Sequence, residues 1–388
     1  MKQGWEIKKL EDCLEKVTYT NKIQRKDFKE LGRFPIISQE QDFINGYWDN
    51  ESDLFKIEKP IVIFGDHTKV KKYVDFDFVL GADGVKIFQT NNHIVPKYFY
   101  YFLQNVELEN LGYARHYRLL KDISVSYPKT LPEQHHIVSI LDQCFSAIDK
   151  AKANAEQNLK NTKELFESYL QGVFEKRGEG WEEKPLKELT TKIGSGATPR
   201  GGQENYKAEG ISLVRSMNVH DWEFRETNLA FIDDKQAKEL DGVTLQEGDV
   251  LLNITGASVA RCCVFPKKYL PARVNQHVSI IRPKKEVLDA RFLNLLLTSK
   301  PYKDQLLFTG EQGATRQAIT KTQIEAFRIL FPKLKEQQSI VRQLDALRAE
   351  TQKLEAVYQK KIADLEELRK SILEKAFSGE LTEKIEII

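Results

Sequence analysis

The stretch Leu131-Pro-Glu-Gln-His-His-Ile-Val-Ser-Ile-Leu-Asp142 returns as Leu334-Lys-Glu-Gln-Gln-Ser-Ile-Val-Arg-Gln-Leu-Asp345, displaced by 203 positions (334 − 131). The displacement persists to the far end, where Glu164-Leu165, Ser168, Leu170 and Phe174 match Glu367-Leu368, Ser371, Leu373 and Phe377. Of the 44 pairs from Leu131 to Phe174, 14 are identical, which chance does not give. A looser echo opens each half. Trp5-Glu6 followed by Leu10 is answered by Trp181-Glu182 followed by Leu186, at an offset of 176 (181 − 5). The unit that repeats is therefore a segment of variable length followed by one of fixed length, the two offsets differing by 27 (203 − 176).

The fixed segment reads as a long helix. Apolar residues recur at Ile137, Leu141, Phe145, Ile148, Ala155, Leu159, Phe166, Tyr169 and Val173, in steps of three, four or their sums. The copy gives Ile340, Leu344, Leu347, Leu354, Tyr358, Ile362, Leu365, Leu368 and Ile372, interrupted by polar Thr351 and Lys361. These stripes predict a coiled-coil seam, with Ile137, Leu141, Ile148, Leu159 and Tyr169 of one helix packing against Ile340, Leu344, Leu354, Ile362 and Ile372 of the other. Tyr127-Pro128 and Phe331-Pro332 end extended segments just before each helix, because a residue preceding proline is pushed out of the α region. Gly178, Gly180 and Gly379 close the helices. At 1.5 Å per residue such helices are roughly 65 Å long, and a narrow apolar stripe of that length needs a partner.

The variable segments look mixed and β-rich. Pro60-Ile-Val-Ile-Phe64, Phe76 to Leu80, Val250-Leu-Leu252 and Val278-Ser-Ile-Ile281 are short apolar runs bounded by Gly, Asp, Asn and Pro, as strands are. Val95 to Leu103 and Asp289 to Leu297 read as short helices after a strand. The fold class expected is α+β, a pseudo-two-fold repeat in which globular domains alternate with helices that pair as an antiparallel coiled coil. Its segments are residues 1–129, a helix at 130–178, residues 179–333, and a helix at 334–388.

Composition points to an intracellular protein with no redox or metal framework. The four cysteines, Cys13, Cys144 and adjacent Cys262-Cys263, form no Cys-x-x-Cys pair. No apolar run approaches the ~18 residues of a membrane helix, so the expected location is cytoplasmic. Net charge is only +2, and affinity for an acidic polymer must come from local patches. No proline follows Asn or Asp and no Pro-Pro pair exists, so the Asn/Asp-Pro-Pro-aromatic loop of amino-methyltransferases is missing. The absence of any Gly-Lys pair excludes a phosphate-cradling P-loop and hence an ATP-driven motor. Gly194-Ser-Gly196 lacks the third glycine of a dinucleotide loop. No catalytic, cofactor-binding or metal-binding residue is expected on this chain.

The motif Pro-x-Leu-x-Glu-Gln-x-x-Ile-Val-x-x-Leu-Asp, from Tyr127 and one residue tighter from Phe331, resembles the specificity subunits of type I restriction-modification systems. Gly194-Ser-Gly-Ala-Thr-Pro-Arg200, Glu247-Gly-Asp249-Val-Leu-Leu252-Asn-Ile-Thr-Gly256 and Val274-Asn-Gln276-His277 are similar to that family's target recognition domains, and Ala376-Phe-Ser-Gly-Glu-Leu-Thr382 to its carboxyl end. In the first domain Ile63-Phe-Gly65-Asp66-His67 stands where the second has its Asn-Ile-Thr-Gly turn. The resemblance implies a DNA-reading subunit without catalysis. Each domain would read half of a bipartite, asymmetric, interrupted target in double-stranded DNA, with the helices setting the spacer. Two methyltransferase subunits would dock on it and restriction subunits, the translocases, would join, these partners carrying S-adenosylmethionine, ATP and Mg.

Candidate DNA contacts follow from side-chain chemistry. Lys69, Lys71 and Lys72 follow a glycine turn and suit phosphates, or else form a solvated strand edge. Arg115-His116-Tyr117-Arg118 and Gly313-Ala-Thr315-Arg316-Gln317 occupy matching loops whose Arg and Gln suit guanine and adenine edges. Thr198, Arg200 and Gly201 offer close backbone approach, or an ordinary turn. Arg215, Asn218, Arg273, Asn275, Gln276 and His277 lie near strand ends, where some merely satisfy backbone groups. Trp5 and Trp181, present in both halves, read as structural anchors. A coiled-coil scaffold without DNA binding is the rival reading, and it leaves two unequal β-rich domains unexplained.

Overall fold

The computed structural model describes residues 3–82, 84–112, 114–176, 178, 180–199, 202–311 and 318–382. Two helices of 45 residues each, Leu131–Glu175 and Leu334–Ser378, stand where the repeat placed them. Packing divides the chain into two compact units that cut across the expected segments. One joins Met1–Glu156 to Gln359–Ile388, and the other is Gln157–Tyr358. Both boundaries fall inside the long helices, because each helix belongs to one core at its start and to the other at its end.

In the first unit, strand Trp5–Lys9 pairs antiparallel with Ser124–Pro128, and Pro128 then releases the chain into the first long helix. In the second, Glu182–Pro185 pairs antiparallel with Arg328–Phe331, ahead of Pro332. First and last strands thus close each head at its neck. The indole nitrogen of Trp5 donates to Glu133 Oε1 at 3.3 Å, and that of Trp181 to Glu336 Oε1 at 3.0 Å. Both tryptophans tie the entry of a head to the first turn of its helix, as anchors should.

Above each neck the expected short helices appear as Pro96–Asn105 and Ala290–Thr298. The second head adds a further helix, Lys300–Glu311, and a three-stranded sheet in which Ile211–Val214 pairs parallel with Ala272–Val274 and antiparallel with Ala230–Ile232. The first head has its own parallel pairing, Phe34–Ile37 with Phe78–Gly81. Of these strands only Phe76 to Leu80 stood out in the sequence; the others are short and lack a clean alternation, so that neither sheet was foreseen.

The helical seams follow the repeat with two corrections. Within the first unit the helices run antiparallel, Asp149 bridging Arg369 at 2.7 Å and Lys152 bridging Glu366 at 2.6 Å. Ile137, Leu141 and Ile148 are buried in this unit's core, together with Leu373, Ala376 and Phe377 from the last helix. Phe377 packs edge-on against Tyr98 and Phe102, with ring centroids 5.3 and 5.5 Å away. In the second unit Leu344 is buried with Phe166, Leu170 and Phe174, and Ile340 packs against them. Leu159, Ile362 and Ile372 are half-buried. Tyr169 and Leu354 were expected in the seam and are exposed, at 44% and 43%. The buried residues are instead Leu170, Phe174 and Thr351. A 3.6-residue turn drifts against a 3.5-residue stripe, and past Phe166 the inward face meets the head's core rather than a narrow seam. Phe174 accordingly packs edge-on against Phe292, 5.5 Å between centroids.

Candidate nucleic-acid interface

Each head is organised around a central strand with antiparallel partners on both sides. In the first head Ile61–Gly65 lies between Lys71–Val74 and Val85–Phe88. In the second Val250–Asn253 lies between Cys262–Val264 and Val278–Pro283. Three loops meet at the end of each central strand. Asp66 N donates to Gly84 O at 2.7 Å and its carbonyl accepts from His116 N at 2.7 Å. In the second head Ile254 N donates to His277 O at 3.0 Å and its carbonyl accepts from Ile319 N at 2.8 Å. The matched positions are Asp66 with Ile254, Gly84 with His277, and His116 with Ile319. Their offsets climb from 188 (254 − 66) through 193 (277 − 84) to 203 (319 − 116), so that of the 27 extra residues of the second head 12 (188 − 176) precede the first of these loops and 15 (203 − 188) lie between the three.

In the first head, the loop-holding residue is His116. Its ring is fully buried, Nε2 accepts from Leu111 N at 3.2 Å, and Nδ1 lies 3.0 Å from the Asp66 carbonyl. An amide only donates and a carbonyl only accepts, so the proton sits on Nδ1. Asp66 Oδ1 accepts from Tyr117 N at 2.7 Å, completing the clamp. Arg115 and Arg118 stand exposed on either side of it.

Other candidates of this head are occupied elsewhere. Lys72 is 3% exposed, its ammonium donating to Asp42 O and, at 3.1 Å, to Asn45 Oδ1. Lys71 reaches Leu103 O and Val106 O at the end of helix Pro96–Asn105, where a cation complements the free carbonyls. Burial pushes both ammonium groups down to about 8. The expected phosphate contact is corrected for these two, since breaking such bonds for a phosphate leaves buried carbonyls unpaired. His116 is likewise removed from the reading set. Tyr117 carries Lys86 and Lys121 over its ring at 5.0 and 5.3 Å and is not open for stacking. Lys69 remains half-exposed, at the left-handed φ of 61°.

The second head carries a polar chain across its loops. Thr198 donates to Gln276 Oε1, Gln276 Nε2 lies 3.0 Å from His277 Nε2, and His277 Nδ1 lies 2.6 Å from Thr255 Oγ1. Gln276 is exposed, and Thr198 and His277 are half-buried. Gly196 makes their approach possible. A Cβ there would sit 1.7 Å from Val274 O, and Gly196 N donates to Asn275 O at 3.1 Å.

Asn275, Asn218 and Arg273 are buried and support this surface from beneath, which corrects their expected role as contacts. Asn275 Oδ1 accepts from His277 N at 3.0 Å. Arg273 donates to Asp241 Oδ1 at 2.8 Å and to Ala237 O at 3.2 Å. Arg215 is half-buried, bonded to Asn228 O with its guanidinium 5.4 Å from the Tyr206 ring centroid. Asp249, fully buried, holds Arg282 in a two-pronged bridge at 2.7 and 2.8 Å, so the Glu-Gly-Asp motif is structural. Two residues were missed, Met217 and Arg261, which line a hollow with Thr255 and His277. No periodic signal marks them, and only the fold brings them beside the matched loops.

Arg200, Gly201, Thr315, Arg316 and Gln317 lie outside the described residues. On the near side of the last three, Ala318 N donates to Gly310 O at 3.1 Å, and Ala318 pairs with Thr255. Among the described residues no cluster of three or more His, Cys, Asp or Glu side chains could hold a metal, and no helix is long and apolar enough to cross a membrane.

The sequence profile of the family described as "Type I restriction modification DNA specificity domain" matches residues 2–160 and 178–364. The specificity subunit of the type I restriction enzyme EcoR124I/EcoR124II of Escherichia coli is 24% identical over 343 residues, covering 83% of this chain and 81% of its own. A chain from a structure concerned with complex assembly and conformational transition of the type I R-M system superposes with a TM-score of 0.70 at 17% identity, covering 97% of this chain and 98% of that one. The HsdS subunit from Thermoanaerobacter tengcongensis gives 0.59 at 18% identity, with 98% of each chain covered. At these identities the two structures speak for the fold.

Proposed function

Because the chain belongs to the family of type I restriction-modification DNA specificity domains, we propose that each of its heads reads one half of a bipartite, asymmetric, interrupted target in double-stranded DNA. The protein is a specificity subunit and is not itself an enzyme. One observation carries the two-site reading. Both heads converge the same three loops at the end of the same strand, and the side chains displayed there differ. The first head offers Arg115, Arg118 and Lys69; the second offers Thr198, Gln276, His277 and Thr255. A repeated scaffold with unlike tips is what an asymmetric target requires. A scaffold of paired helices alone leaves those tips without a role.

The long helices set the number of base pairs between the half-sites and carry the partner subunits. Leu165 and Leu368 occupy equivalent repeat positions and are 51% and 48% exposed. An apolar residue kept on the surface of both copies suits one kind of partner docking twice, here a methyltransferase subunit, with restriction subunits joining the assembly. Methyl donor, nucleotide and magnesium would be held by those partners, and the complex would act in the cytoplasm. The test is duplex binding across a salt series. The full chain should select an interrupted sequence with an affinity that falls steeply with salt, and should incorporate no methyl groups alone. Methyl transfer by the purified chain would overturn the reading.

A further inference from the structure

The turn Ser216–Asn218 in the second head is held from inside by two fully buried asparagines. Asn218 Oδ1 accepts from Arg215 N at 3.1 Å, and its amide donates to Arg225 O at 2.9 Å and Thr227 O at 3.3 Å. Asn253, at the end of the central strand, donates to Ser216 O at 2.9 Å and to Val219 O at 3.4 Å. This fixed turn displays Met217, which is 43% exposed and lines the hollow formed with Thr255, Arg261 and His277. Among the described residues that line the hollow, Met217 is the one long apolar side chain, set on a rigid mount among mostly polar groups.

The polar neighbours indicate what it meets. Gln276 has four hydrogen-bonding valences. Thr198 takes one carbonyl lone pair and His277 Nε2 takes one N–H, which leaves one acceptor and one donor side by side. That pair matches adenine N6 and N7 in the major groove, and the major groove is also where thymine shows its C5 methyl, the one apolar group on any base edge. We propose that Met217 packs against a thymine methyl in the major groove, beside the base pair that Gln276 reads, an assignment that rests on the second head docking on duplex DNA. Pre-fixing the turn lowers the ordering cost of a contact too small to repay a mobile loop.

The experiment uses the full chain and a pool of duplexes with randomised half-sites, followed by titration of the enriched duplex with each thymine replaced singly by uracil, which removes only the methyl. At one thymine in one half-site the replacement should weaken wild-type binding about three- to tenfold, the range expected for one buried methyl. Met217→Ala should bind the thymine and uracil duplexes equally, and Met217→Leu should keep the discrimination. If a sequence is enriched but the uracil penalties of wild type and Met217→Ala agree at every position, the assignment to Met217 falls while the DNA-reading function stands. If no sequence is enriched, the reading it rests on falls with it.

Discussion

Gln134 and Gln337, 203 positions apart (337 − 134), make the same three hydrogen bonds in the two halves of the molecule. Gln134 Oε1 accepts from Val95 N at 2.8 Å, and its amide donates to His93 O and Pro128 O at 2.8 and 2.9 Å. Gln337 Oε1 accepts from Asp289 N at 2.8 Å, and its amide donates to Val287 O and Pro332 O at 2.9 and 2.8 Å. Each side chain is fully buried and pins the start of a short helix to the proline that opens a long one. Replacing either with leucine strands one N–H and two carbonyls, at a cost of about 3–5 kcal/mol. Urea unfolding followed by amide exchange should show the loss centred on the first unit for Gln134→Leu and on the second for Gln337→Leu.

Charge removal should separate surface cations from buried ones. Arg115→Ala and Arg118→Ala should each lower the slope of log affinity against log salt by about 1, as loss of one phosphate contact does. Lys72→Met should leave that slope unchanged, because its ammonium is committed to Asp42 and Asn45. An altered slope for Lys72→Met at intact stability would return that residue to the interface.

Two glycines of one motif should behave oppositely. An alanine at 196 puts its Cβ against the Val274 carbonyl, whereas one at 194 meets nothing within 4 Å. Gly196→Ala should destabilise the second unit by about 1–3 kcal/mol through overpacking and weaken DNA binding. Gly194→Ala should be close to neutral in both thermal melting and duplex titration.

The repeat made the helices, necks and anchoring tryptophans readable in advance, because their apolar spacing and fixed offset are properties of sequence order. The loop correspondence of Gly65-Asp66-His67 with Asn253-Ile254-Thr255-Gly256 was readable from the family resemblance and not from the fixed offset, since it stands at 188 (254 − 66). Which polar residues face out was not. Asn218, Asn275 and His116 have the same donors and acceptors whether they meet a base or a buried carbonyl, and only burial decides. Tyr169 and Leu354 misled because a stripe reports the face of a helix without reporting whether a head or another helix lies against it. Met217 carries no pattern at all.

Thiol chemistry should follow burial. Cys13, Cys262 and Cys263 are buried and Cys144 is half-buried, so a thiol reagent should titrate Cys144 alone in the native protein and all four in denaturant. Burial pushes the Cys13 thiol up to about 11 and that of Cys263 up to about 12. An unfolded thiol ionises near 8.5, so above that pH the unfolded chain releases protons that the folded one retains. Stability from these groups is present below about pH 8.5 and is lost as pH rises towards 11. Cys13→Ala should therefore unfold with a shallower alkaline decline than wild type, by up to about 1.4 kcal/mol per pH unit between 9 and 11, measured by urea midpoints.

Leu373, Ala376 and Phe377 complete the core that Trp5 and Leu10 begin. On a ribosome those residues emerge only after the whole of the second head has been made. The first head thus waits for its final packing until the second is made, and while nascent it keeps Tyr98 and Phe102 without the Phe377 ring throughout synthesis of the other. A stop codon a few residues before Leu373 would strike the amino-terminal head and spare the carboxyl-terminal one, the reverse of what position along the gene suggests.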